Sequence, residues 1–61
     1  MKNFRVHYQI KGRNYHKDFS MSGTINSETI RISAINEIKK SHPDVRTSEI
    51  TILTIEEISV W

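Results

Sequence analysis

Residues 3–10, Asn-Phe-Arg-Val-His-Tyr-Gln-Ile, alternate without a break: Phe4, Val6, Tyr8 and Ile10 share one parity, Arg5, His7 and Gln9 the other. Successive side chains on a strand point to opposite faces, so the segment reads as a half-buried β-strand with its aromatic and aliphatic side inward. The alternation resumes through Tyr15, Phe19 and Met21, after Lys11-Gly12-Arg13-Asn14. Gly12 supplies the positive φ of a tight turn, which predicts a hairpin. A loop centred on Gly12-Arg13, or one running from Lys11 to Asn14, pairs Ile10 with Tyr15, Tyr8 with Lys17 and Val6 with Phe19. A loop centred on Lys11-Gly12 pairs Tyr8 with Tyr15 and Phe4 with Phe19. Either register keeps the same residues on the same face.

Beyond Ser22-Gly23-Thr24 comes Ile25-Asn26-Ser27-Glu28-Thr29-Ile30. Asn26 suits an N-cap, Glu28 complements the dipole of the first turn, and Ile25 can pack on Ile30 as a hydrophobic staple. Helical spacing gathers Ile30, Ala34, Ile35 and Ile38 on one side and Ser33, Asn36, Glu37 and Lys40 on the other. Pro43 disfavours helical geometry at His42, so the helix is expected to end near Ser41, with His42 beside the last carbonyls. The β-branched run Ser48–Ile55 then reads as a third strand. Its alternation is broken: Ile50 and Ile52 share a parity with Ile58 and Val60, whereas Leu53, Ile55 and Trp61 have the other. Either a bulge reverses the faces near Leu53 or both faces of this strand are covered.

The expected fold is therefore α+β: residues 1–61 form a single β-β-α-β domain, a three-stranded sheet with one helix packed on one face. The helix is a crossover long enough for a parallel pairing, and the preferred right-handed connection places the third strand beside the first. Residues 3–10 become the central strand, with edges at 15–21 and 49–56. A chain of 61 residues buries only about 60% of the surface its unfolded form exposes. With no cysteine, neither a disulfide nor a thiolate-held metal reinforces it. No apolar run reaches the ~20 residues that span a bilayer, and the N-terminus lacks the apolar block of a signal peptide, so a cytoplasmic location is expected.

The net charge of +2 conceals a split, since residues 1–17 carry five cations and no acid and the remaining 44 residues carry −3. Lys2, Arg5, Lys11, Arg13 and Lys17, with His7 and His16, are accordingly candidates for holding a polyanion such as a nucleic-acid backbone. The aromatics Phe4, Tyr8, Tyr15 and Phe19 have the inward parity, which counts against base stacking, and an exposed strand face needs polar residues for solubility in any case. The open face also presents His7 opposite Asp18 or His16, according to register. Such a pair lacks the third ligand and the enclosure that metal or acid-base chemistry needs. No serine or threonine has a base at a predictable spacing, so no catalytic residue, no metal site, no cofactor and no small-molecule substrate is expected.

A second candidate surface consists of Leu53, Ile55 and Trp61, which form an apolar strip on the uncovered face if the third strand is regular. A thin unstapled core gains stability by burying such a strip against a second copy, and two-fold dimers are the commonest solution. The size, element order and lack of catalytic motifs fit a small accessory protein of the bacterial or phage type. The functional expectation is a non-enzymatic, homodimeric module that binds another protein, with nucleic-acid binding through the basic hairpin as the alternative.

Overall fold

The computed structural model describes residues 1–58, so Val60 and Trp61 lie outside the described residues. Strand β1 (Lys2–Ile10) and strand β2 (Arg13–Met21) form the hairpin, helix α1 (Ser27–Ser41) follows, and a short 3-10 turn at Thr47–Glu49 leads into β3 (Ile50–Ile58). The sheet order is β2-β1-β3, with β1 antiparallel to both neighbours. The crossover thus returns β3 parallel to β2 but on the far side of β1, which makes β1 the centre, as the sequence predicts.

The hairpin adopts the register centred on Lys11-Gly12, with Phe4 opposite Phe19 and Tyr8 opposite Tyr15. Lys11 at φ 51° and Gly12 at φ 80° are both left-handed, the combination whose twist matches that of the flanking strands. The register stacks aromatic rings across the strands, with centroids 5.7 Å apart for Phe4–Phe19 and 5.5 Å for Tyr8–Tyr15. Offset ring pairs of this kind add about 0.5–1.5 kcal/mol beyond their area.

Asn26 caps α1: its side chain accepts from the Thr29 backbone N–H at 3.0 Å, and the Thr29 hydroxyl accepts from the Asn26 N–H at 2.9 Å. The helix ends at Ser41, one residue short of the position that Pro43 restricts, and the His42 N–H closes the last turn on the Ile38 carbonyl. Ala34 and Ile38 join Phe4, Val6, Tyr8, Ile10, Phe19 and Met21 in the buried core, with Ile25, Ile30 and Val45 packed around it. One row of β1 thus lies under the helix, while Arg5, His7 and Gln9 line the other face.

A bulge settles the broken alternation of β3. Its register on β1 shifts between Tyr8 opposite Ile52 and His7 opposite Thr54, which leaves Leu53 as the inserted residue. Beyond it Ile55 lies opposite Val6, on the helix side, and packs against the core. The regular strand that would align Leu53 with Ile55 therefore does not form. Leu53 is left 53% exposed.

Candidate interaction surface

Pairing of the charged side chains decides what the open face can do. Arg5 clasps Asp18 across the hairpin, its Nε donating to Oδ1 at 2.7 Å and its Nη2 to Oδ2 at 3.1 Å. That hydrogen-bonded pair holds the Asp18 carboxyl below its ordinary value and raises the Arg5 guanidinium. His7 Nε2 lies 3.2 Å from Glu56 Oε1 of β3, and its ring is 6.2 Å from that of His16. Gln9 donates to Asn14 at 2.8 Å, and Ser20 to Asn3 at 2.6 Å. This is a ladder of cross-strand polar pairs, mostly satisfied within the sheet.

The seven basic candidates are dispersed rather than gathered. Arg5, His7 and His16 are on the open face, whereas Lys17 lies opposite Val6 and Lys2 opposite Met21, both on the helix side. Lys17 Nζ donates to Ser41 Oγ at the C-terminal end of α1, its stem lying along the core edge. Lys2 stands 3.7 Å from Glu57, and Lys11, in the turn, 3.9 Å from Glu49. Arg13 lies opposite Ile10 at the hairpin tip. The parity that turns Phe19 inward also turns Lys17 inward, so part of this dispersal is present in the sequence. The carboxylates that come from β3 are not, because the β1–β3 register joins residues about fifty positions apart.

A different surface has the stronger physical character. Helix α1 approaches β2 more closely than β3, so burial falls off across the sheet. Phe19 and Met21 on β2 are buried, while Ile50, Ile52 and Ile55 on the same face of β3 are only partly buried. Between helix and edge strand runs an open groove of about 490 Å³ lined by Ser27, Arg31, Ile50, Thr51, Ile52 and Ile55. Beside it the outer edge of β3 has no neighbouring strand among the described residues, and a strand edge of this kind presents backbone donors and acceptors that can pair. Arg31 is the one charged residue in the lining, and among the described residues no cluster of three metal-ligating side chains occurs. The groove has the chemistry of an apolar contact surface with a cationic rim, without an acid-base pair.

Sequence reasoning missed the groove because it depends on the lateral position of the helix. It placed His42 at the end of the helix, where it stands, but missed its side-chain contacts: Nε2 lies 3.1 Å from the Tyr8 hydroxyl and the ring stands edge-on to Tyr15 at 4.9 Å. Among the described residues no helix is long and apolar enough to cross a membrane. In comparison with known proteins, no family model, no curated protein and no solved structure matches the chain.

Proposed function

We propose that this protein is a non-enzymatic binding module that docks another polypeptide on the outer edge of β3 and the adjoining α1–β3 groove. The observation that carries this reading is the row Ile50, Ile52 and Ile55, partly buried against the core and lying beside a strand edge that is unpaired among the described residues. Full burial of an isoleucine is worth about 1.5–3 kcal/mol, and a free edge supplies main-chain hydrogen bonds to an incoming strand. The absence of titratable residues other than Arg31 from the lining supports binding over catalysis. The zero cysteine content suits a cytoplasmic setting, where disulfides seldom persist.

The pairing of Lys2, Arg5, His7 and Lys11 with carboxylates weighs against a phosphate-tracking surface, which needs cations free to displace counterions. Two measurements test the reading. Capture of proteins by the immobilised full chain is expected to fall at least tenfold in Ile52→Glu and in Arg31→Glu, each with an unchanged circular dichroism spectrum. Fluorescence anisotropy with mixed-sequence DNA and RNA at low salt is expected to show no binding. Capture indifferent to both substitutions, or tight nucleic-acid binding lost on raising salt, would overturn it.

A further inference from the structure

We propose that the occupant of the β3 edge is a second copy of this chain, joined antiparallel about a two-fold axis with Ile52 opposite the partner's Ile55. This rests on the docking surface proposed above and names what fills it. The bulge in β3 selects the register. In a two-fold antiparallel pair the numbers of opposed residues have a constant sum, and opposed residues share a face. On β3, Ile50, Ile52, Ile55 and Glu57 lie opposite the inward residues Ile10, Tyr8, Val6 and Phe4, on the helix side. Thr51, Thr54 and Glu56 lie opposite Gln9, His7 and Arg5, on the open side.

Insertion of Leu53 makes this order of faces read the same in both directions about the Leu53–Thr54 bond. With Ile52 opposite the partner's Ile55, Ile50 meets Glu57 and Thr51 meets Glu56, and each of these pairs shares a face. Leu53 then meets Thr54 at the centre, where the two bulges coincide. A shift of one residue in either direction sets a helix-side isoleucine against an open-side threonine or glutamate, or against Leu53. A regular strand in this same register would put every opposed pair on different faces. A regular strand meets the same condition one register away, so the bulge selects the register, and the second copy is favoured over a foreign strand by the isoleucine pairs and by the match of Glu57 with Arg31.

The pairing yields a six-stranded sheet with both helices on one face. Ile52 and Ile55 of each copy then fill the space between the two grooves. Glu57, which in the single chain meets Lys2 only at 3.7 Å, comes to lie opposite the partner's Ile50, in the groove rimmed by the partner's Arg31. Charge is thereby matched twice across the axis. A bulge and strand-end glutamates are also devices that blunt an edge. In this register the glutamates fall at the rim and the bulges face one another, so neither obstructs the centre.

The lack of native cysteine makes the register directly testable. Thr51 and Glu56 are exposed and lie opposite Gln9 and Arg5, four residues apart on β1, about 13 Å along a strand, beyond the reach of an intrachain disulfide. In the proposed dimer each Thr51 faces the partner's Glu56. Oxidation of the Thr51→Cys/Glu56→Cys double variant is expected to give a covalent dimer, while Thr51→Cys alone and Glu56→Cys alone give none above random collision. Wild type is expected to sediment at twice the 7.2 kDa chain mass, and Ile52→Glu to weaken association at least a hundredfold. A wild type that remains monomeric at several hundred micromolar, or a double variant that cross-links no better than the singles, overturns the proposal. Monomeric protein that still captures another polypeptide through Arg31 and Ile52 overturns the second copy alone and leaves the binding surface standing. A dimer that captures no other polypeptide supports the second copy as the occupant, and a monomer that captures nothing overturns both readings.

Discussion

The Tyr8 hydroxyl lies 3.1 Å from His42 Nε2, tying the centre of β1 to the residue that caps the C-terminus of α1. The contact joins the central strand to the end of α1, and Tyr15 packs its ring against the same imidazole at 4.9 Å. Tyr8→Phe keeps the ring and removes the hydrogen bond, so a loss of about 1 kcal/mol is expected. His42→Ala also removes the edge contacts with both rings, and a loss of about 2 kcal/mol is expected. Urea midpoints of the two single variants and the double variant measure the coupling, which vanishes if the two groups act independently.

Tyr8 also predicts an alkaline limit to stability. Burial, and then the neighbouring phenol of Tyr15, push its pKa above the ordinary tyrosine value. The unfolded chain ionises first, near pH 10, so the contribution of the neutral phenol is complete below that pH and is lost as pH rises through the raised folded value. Urea midpoints between about pH 9 and pH 11 are expected to fall more steeply in wild type than in Tyr8→Phe. Equal slopes would show that the phenol does not report on folding.

At the acid end the sign is opposite. Asp18 is held below its usual range by its hydrogen bond from Arg5, and Glu37 by its hydrogen bond from Lys40. The unfolded chain takes up protons first as pH falls, so both contributions are complete above the ordinary carboxylate values and disappear as pH drops through the depressed ones. Stability of the Asp18→Asn/Glu37→Gln variant is expected to vary less than that of wild type between about pH 5 and pH 2. Raising salt is expected to narrow the difference, since Arg5, Asp18 and Lys40 reach solvent and Glu37 is only partly buried.

The hairpin turn gives a conformational test. Gly12 at φ 80° has nothing near its Cα that a methyl group would strike, so Gly12→Ala carries only the backbone cost of a left-handed residue, about 1–2 kcal/mol. Lys11, at φ 51°, bears some of that cost already. Lys11→Asn is expected to raise stability by a few tenths of a kcal/mol, because Asn-Gly is the favoured pair for this turn. Thermal melts of the two variants should move in opposite directions, and a shift of the same sign would point to a different turn.

Ile38 is fully buried against the sheet. Ile38→Ala is expected to cost about 2–5 kcal/mol, enough to unfold much of a domain whose whole stability is of order 5 kcal/mol. Ile32→Ala, at a helix position 52% exposed, is expected to change stability by less than about 0.5 kcal/mol. Amide exchange would register the contrast as loss of protection throughout β1 in the first variant and little change in the second.

By itself the sequence determined which residues face inward on β1 and β2, where α1 begins and ends, and which strand is central. These follow from local chemistry: a period of two, the side-chain cap of Asn26, the restriction imposed by Pro43, and the handedness of a crossover. Tertiary structure alone decided the hairpin register, the choice of a bulge at Leu53 over a second covered face, the carboxylate partners of the basic residues, and the meeting of His42 with Tyr8. The hairpin register depends on which two residues form the turn, the others on which residues meet from elements far apart in the chain, and parity fixes a face without fixing a partner. The groove is the plainest case, because a single helix is narrower than three strands and its amphipathic pattern carries no record of which edge it leaves uncovered.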